Sequence, residues 1–118
     1  MIIIREANEL YRSLETAFAA SKSGYAVTAL ADPSRVMQTI AAVQPGIIIL
    51  DINMGQWDGR TICQQVKATD EYNQIPVVLY SGVAEDEDTL LHTKATLFLH
   101  KPVSTSYFLK KISELTRA

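Results

Sequence analysis

The stretch of sequence from residue 47 to residue 59 is IIILDINMGQWDG. Its first four residues are large and apolar, and three of them are β-branched, which is typical of a strand buried on both faces. Asp51 follows this run directly, and Asn53 comes two positions later. Pro45 and Gly46 break the chain just before the run. The segment therefore predicts a central strand of a parallel sheet, with polar side chains at its carboxyl end.

Other short apolar runs repeat this pattern along the chain, at residues 1–4, 27–30, 77–80 and 97–100. Between them, apolar residues recur at helical spacing, as in Leu10, Leu14, Phe18; Val36, Ile40, Val43; Ile62, Val66; and Phe108, Ile112, Leu115. A shorter helix is predicted near residues 85–94. Apolar strands that alternate with amphipathic helices predict a parallel sheet covered on both faces, because each right-handed crossover places a helix against the sheet. We expect a flavodoxin-like (βα)5 three-layer sandwich with strand order 2-1-3-4-5.

Signals for the ends of these elements agree with that reading. Asp32 is followed by a proline, as at a helix N-terminus, and Ser104 can cap the last helix. Asp58 is expected to cap the third helix, with Gly59 easing the turn.

Length and composition predict one domain that spans residues 1–118. The chain is 47% hydrophobic and 20% charged, with a formal net charge of −2, so a folded domain is expected and direct nucleic-acid binding is not. The single cysteine, Cys63, is expected to be a core residue in a reducing compartment. The apolar start is interrupted at once by Arg5 and Glu6, which does not resemble a signal peptide, and no run is long enough to span a membrane. We expect a soluble cytoplasmic protein.

In a sheet of this order, ligands bind outside the carboxyl ends of the strands, near the point where the winding direction reverses. The polar residues that follow the predicted strands are Arg5, Glu6, Asp51, Asn53, Ser81 and Lys101. Carboxylates that meet in a partly dehydrated crevice favour a bound cation, and oxygen ligands favour Mg²⁺. An aspartate held there can attack phosphorus and form an acyl phosphate, while the metal, Lys101 and Ser81 stabilise the transferred group.

Three motifs in this order resemble those of response-regulator receiver domains. They are residues 47–59, the strand that ends in Ser81-Gly82, and the segment Phe98-Leu99-His100-Lys101-Pro102, and Ser81 and Lys101 follow Asp51 by 30 and 50 positions. The resemblance implies a phosphoacceptor role for Asp51, a Mg²⁺ bound by Glu6, Asp51 and the main-chain carbonyl of Asn53, and phosphate contacts from Ser81 and Lys101. It also implies that Phe98 is a switch residue, that the peptide bond before Pro102 is cis, and that the domain is not an enzyme in the ordinary sense.

The chain departs from this family pattern at two places. Receiver domains end the first strand with two acids, whereas this chain has Arg5-Glu6-Ala7. We align Glu6 with the acid that binds the metal; a second register, which places Ala7 there, remains open. Gly55 stands where the family has proline, which loosens that loop without removing a reacting group. Weakened Mg²⁺ binding is the expected consequence of Arg5.

Two functions follow from the resemblance. The first is a receiver, either stand-alone or part of a longer protein, that takes phosphate from a histidine kinase or histidine phosphotransfer protein and signals to a downstream output protein by contact. The alternative is a pseudo-receiver, a protein-binding module without efficient metal-dependent phosphorylation. A flavodoxin-like cofactor protein would share the fold, but no phosphate-binding loop follows the first strand. Trp57 is expected near the acidic pocket, and the two histidines, His92 and His100, are expected to have no metal-binding role.

Overall fold

The computed structural model describes residues 2–4, 28–30, 32–54, 56–82 and 87–116. The strands in these ranges are β1 (Ile2–Ile4), β2 (Thr28–Leu30), β3 (Ile48–Asp51), β4 (Asn53–Met54), β5 (Trp57–Asp58), β6 (Val77–Ser81) and β7 (Leu97–His100). Five of them form one parallel sheet of order β2-β1-β3-β6-β7. The predicted flavodoxin-like order is therefore confirmed.

The helices in the described part of the chain are α1 (Val36–Val43), α2 (Gly59–Ala68), α3 (Glu87–Thr93) and α4 (Thr105–Thr116). A 3-10 turn, Pro33–Arg35, leads into α1. The shorter helix predicted near residues 85–94 corresponds to α3 and ends where Lys94 adopts a positive φ of 59°. The predicted first helix, with Leu10, Leu14 and Phe18, lies outside the described residues.

Local hydrogen bonds explain why the helices begin where the sequence predicts. The Asp32 carboxylate accepts a bond of 3.0 Å from the backbone N–H of Ser34, and Asp32 is the N-cap of the 3-10 turn. The Ser104 hydroxyl oxygen accepts a bond of 3.2 Å from the backbone N–H of Tyr107 at the start of α4. Gln44 closes α1 with a left-handed backbone, φ 52°.

In the part of the chain that the structure describes, alternate residues of the central strands supply two separate cores, one on each face of the sheet. The first core contains residues of α1, α2, β3 and β6: Val36, Ile40, Ile48, Leu50, Ile52, Ile62, Cys63, Val66, Val77 and Leu79. The second core contains residues that pack with α4: Ile47, Ile49, Val78, Tyr80, Leu99, Phe108 and Ile112. This two-residue period explains the unbroken apolar runs, because both faces of each central strand are covered.

The structure corrects three details of the sequence-based prediction. Asp51 and Ser81 are the last residues of their strands, not the first residues beyond them, because Asp51 pairs with Tyr80, and Ser81 pairs with His100. Val43, at the end of α1, is 42% exposed and does not join the core. The antiparallel pair β4-β5 was not predicted, since two residues per strand are too few to show alternation.

Among the described residues, no helix is long and apolar enough to cross a membrane.

Candidate functional site

Three of the predicted site residues meet at the carboxyl edge of neighbouring strands. Asp51 ends β3, Ser81 ends β6, and Lys101 follows β7 directly. These strands are adjacent in the sheet, and the backbone N–H of Lys101 donates a 2.7 Å bond to the carbonyl oxygen of Ser81. Hydrogen bonding between these adjacent strands therefore forms the edge at which the site is predicted.

Asp51 and Lys101 form a buried ion pair. The Lys101 ammonium Nζ lies 2.6 Å from Asp51 Oδ2, and the two side chains are 7% and 2% exposed. A short, charge-assisted hydrogen bond of this kind offsets part of the hydration that both charges lose on burial. Removing either partner would leave one buried charge without its counter-charge, which typically costs about 3–5 kcal/mol.

The backbone around Asp51 is held by the loop that follows it. Asp51 Oδ1 accepts a bond of 3.3 Å from the backbone N–H of Asn53. Ile52 donates its N–H to the Tyr80 carbonyl at 3.0 Å, and its own carbonyl accepts the N–H of Gly59 at 2.9 Å. These bonds tie the start of α2 to the end of β3 and give the carboxylate a defined direction.

Gly59 is required at this point because the backbone of Asp51 comes very close. A Cβ atom at position 59 would lie 2.4 Å from the carbonyl oxygen of Asp51, a distance that real Cβ atoms do not tolerate. The sequence-based interpretation gave Gly59 only a turn role. The close approach of two backbones is the stronger reason.

Asp58 caps α2, as predicted, and is paired with Arg60. Asp58 Oδ1 accepts the backbone N–H of Arg60 at 2.8 Å, and the Arg60 guanidinium lies 2.7 Å from Asp58 Oδ2. The side-chain hydrogen bonds from Arg60 lower the pKa of Asp58 below its ordinary value, more than partial burial raises it. Asp58 is therefore a helix cap at the rim of the site.

Ser81 and Phe98, the two predicted switch residues, lie on the adjacent strands β6 and β7. The Ser81 side chain is fully buried beside the strand that carries Asp51. Phe98 is partly buried, packs against the first core and pairs with Leu79 in the sheet register. The peptide bond between Lys101 and Pro102 is cis, as the resemblance implied.

One residue with a direct contact to the site was missed by sequence reasoning. The aromatic ring of Tyr80 lies under the Lys101 ammonium, with 5.0 Å between Nζ and the ring centroid. A signal was available, because Tyr80 directly precedes Ser81. Its place in an apolar run predicts only a strand residue. Trp57 is 40% exposed in β5.

Oxygen donors suited to Mg²⁺ are present, but only some lie in the part of the chain that the structure describes. The Asp51 carboxylate and the main-chain carbonyl of Asn53 are both of the type that Mg²⁺ prefers. Arg5 and Glu6 lie outside the described residues. Among the residues described, no three His, Cys, Asp or Glu side chains group to hold a metal. A small cation with several water ligands fits this donor set better than a tightly caged metal.

The family model for the response regulator receiver domain matches residues 1–113. The chain belongs to this family. Receiver domains of response regulators act in two-component signalling and are signalling domains, not ordinary enzymes.

Curated relatives of this receiver domain are larger regulators. It is 28% identical over 117 residues to transcriptional regulatory protein CseB of Streptomyces coelicolor, covering 98% of this chain and 45% of that protein. It is 32% identical over 95 residues to response regulator PleD of Caulobacter vibrioides, covering 79% of this chain and 21% of that protein. The chain thus spans less than half the length of either relative.

Solved structures show the same receiver fold. Chemotaxis protein CheY4 of Vibrio cholerae has a TM-score of 0.85 at 19% identity, covering 97% of this chain and 95% of that chain. The signal receiver domain of a histidine kinase from Syntrophus aciditrophicus has a TM-score of 0.84 at 20% identity, covering 98% and 88%. At these identities the likeness concerns the fold alone.

Proposed function

We propose that this receiver domain accepts a phosphoryl group on Asp51 from a phosphohistidine of a partner protein. The observation that carries the proposal is the buried carboxylate of Asp51, 2.6 Å from the Lys101 ammonium at the carboxyl edge of the sheet. A carboxylate oxygen of Asp51 attacks phosphorus, the phosphorus–nitrogen bond to the histidine breaks, and the imidazole nitrogen takes up a proton. The product is an acyl phosphate on Asp51.

Lys101 and Ser81 have separate tasks in this proposal. The incoming group carries more negative charge than the carboxylate that it modifies, so a cation already present at Asp51 lowers the repulsion. The Lys101 ammonium moves from the carboxylate oxygen to an oxygen of the phosphoryl group. The Ser81 hydroxyl, at the end of the neighbouring strand, donates a hydrogen bond to another of these oxygens.

Mg²⁺ is the cofactor that this site would use. Asp51, the main-chain carbonyl of Asn53 and Glu6 would hold the ion, which supplies positive charge to the phosphoryl oxygens. The partners would be a histidine kinase or histidine phosphotransfer protein and a downstream output protein. Family membership and the single cysteine support a cytoplasmic location for this exchange.

The pseudo-receiver alternative rests on the sequence Arg5-Glu6, where the family has two acids. In that case the domain would bind a partner without efficient metal-dependent phosphorylation. The ion pair between Asp51 and Lys101 is compatible with either function, so a direct chemical test is needed.

The test is an intact-mass measurement after incubation with acetyl phosphate and Mg²⁺. We expect a mass increase of one phosphoryl group that is absent in Asp51→Asn and present in Asp58→Asn, the matched control at the rim of the site. An increase that persists in Asp51→Asn would assign the modification to another residue. No increase in the wild type, with or without a cognate kinase, would favour the pseudo-receiver.

A further inference from the structure

Tyr80 lies on β6, between β3, which ends in Asp51, and β7, which Lys101 follows directly. The sheet register pairs it with Asp51 on β3 and with Leu99 on β7, and Ser81 follows it on the same strand. Its side chain is 8% exposed and belongs to the second core, which contains Phe108 of α4. The ring is therefore held by packing and has little freedom to move.

The Lys101 ammonium lies close to two groups that both attract a positive charge. Nζ is 2.6 Å from Asp51 Oδ2 and 5.0 Å from the centroid of the Tyr80 ring. The face of an aromatic ring attracts a cation within about 6 Å, more strongly where water is excluded. Lys101 is 7% exposed, so this attraction acts with little competition from solvent.

We propose that Tyr80 is a positioning residue for phosphoryl transfer, which acts by holding the Lys101 ammonium beside Asp51. This inference rests on the function proposed for Asp51. In this role Tyr80 acts through Lys101: it restricts the flexible lysine stem, which has four carbons and many rotamers. When the phosphoryl group arrives, the ammonium turns toward the new oxygens while it remains over the ring.

The ring face, not the phenol hydroxyl, carries this role, and that distinction makes the proposal testable. Tyr80→Phe retains the face and should be phosphorylated by acetyl phosphate and Mg²⁺ within about twofold of the wild-type rate. Tyr80→Leu removes the face, and its maximal rate should fall about tenfold, with little change in the acetyl phosphate concentration that gives half the maximal rate. Tyr80→Met is the substitute if the leucine variant does not fold.

The contact can be observed separately from the reaction. The lysine ε-methylene signals are recorded by proton–carbon NMR on protein labelled at lysine, and the Lys101 signal is assigned by its loss in Lys101→Arg. A ring close to the ammonium shifts that signal upfield. We expect the upfield position in the wild type and in Tyr80→Phe, and a return to the position of exposed lysines in Tyr80→Leu.

Each outcome decides between the proposals. A wild-type Lys101 signal at the position of exposed lysines, or a folded Tyr80→Leu that is phosphorylated at the wild-type rate, overturns the role of Tyr80 and leaves the function of Asp51 intact. A loss of rate in Tyr80→Phe equal to that in Tyr80→Leu also overturns it. A wild type that takes up no phosphoryl group overturns the proposed function and, with it, any role of Tyr80 in transfer.

Discussion

At the scale of the residue, the buried ion pair of Asp51 and Lys101 raises the question of whether it serves stability or reactivity. Bringing two charges out of water costs several kcal/mol per ion, and replacing a buried pair by apolar residues is often neutral or stabilising. The pair is therefore poorly explained as a device for stability. In the proposed function its role is to supply a dehydrated nucleophile and a cation that can follow the phosphoryl group.

Gly59 allows a test of the backbone geometry under this pair. Gly59→Ala would place Cβ 2.4 Å from the Asp51 carbonyl oxygen, so β3 or α2 must shift, at a cost of about 1–3 kcal/mol in unfolding free energy. Gly46→Ala is the matched control, because nothing lies within 4 Å of its Cβ, and its effect should stay within about 0.5 kcal/mol. Urea unfolding measures both. Equal effects would show that the contact at Gly59 relaxes freely.

Arg5 is the residue at which the sequence departs most from the receiver pattern. A unit charge about 6 Å from Mg²⁺ would act on it with roughly 5 kcal/mol at an effective dielectric of ~20, before screening and side-chain motion reduce the effect. If about 1.4–2.8 kcal/mol survives, Mg²⁺ binding is weakened by about ten- to a hundredfold.

Arg5→Asp should therefore tighten Mg²⁺ binding. The measurement is a titration followed by fluorescence quenching of Trp57, the only tryptophan. An ordinary Mg²⁺ affinity in the wild type, unchanged in Arg5→Asp, would remove the main support for the pseudo-receiver alternative.

At the scale of the element, helix α2 connects the site to the rest of the fold. Its N-terminus is capped by Asp58 and lies against the backbone of Asp51. Two of its side chains donate hydrogen bonds to the end of α3: Cys63 Sγ to the Thr93 carbonyl and Gln64 Nε2 to the His92 carbonyl, both at 3.3 Å. Burial raises the pKa of the Cys63 thiol to about 11, which keeps it protonated in the core.

We expect the contribution of the Asp58 cap to the stability of the protein to depend on pH. Asp58→Ala should lower the unfolding free energy by about 1 kcal/mol, and Asp58→Asn by less, because asparagine is also a good N-cap. Since the pKa of Asp58 is lowered from 3.8 by its bonds to Arg60, the contribution of its charge is present above about pH 4 and lost as the pH falls further. Unfolding of the wild type and Asp58→Asn from pH 7 to pH 2 measures this contribution. A difference in unfolding free energy between the wild type and Asp58→Asn that grows toward low pH would contradict this expectation.

At the scale of the whole molecule, the sheet and the cores on its two faces connect the site to the neighbouring strand β7. Ser81 belongs to β6, and Phe98 lies on the adjacent β7 and packs against the first core. In the proposed function, phosphorylation draws Ser81 toward the phosphoryl oxygens, which opens space into which Phe98 turns. In that proposal the exposed surfaces of α3 and α4 then change for the output partner.

Beryllofluoride, as a substitute for the phosphoryl group, tests this transmission. We expect the NMR signals of the Phe98 ring, and of backbone amides in β7, to shift when beryllofluoride and Mg²⁺ bind. Ser81→Ala should reduce those shifts, while Ser106→Ala, an exposed position in α4, should not. Signals around Phe98 that match the free form in a saturated complex would rule out the switch.

The sequence by itself determined the alternation of strands and helices and the sheet edge at which the polar residues collect, because both follow from apolar periodicity and from the connection rules of parallel sheets. It also predicted which groups would react in the proposed function, since Asp51, Ser81 and Lys101 each end or follow a strand. Only the tertiary structure decided the contacts between elements that are distant along the chain. The 2.6 Å pair joins residues 50 positions apart, and the contacts of Tyr80 with Lys101 and of Gly59 with Asp51 depend on strand register and backbone packing. Those distances are set by how whole elements pack, which no local pattern of residues encodes.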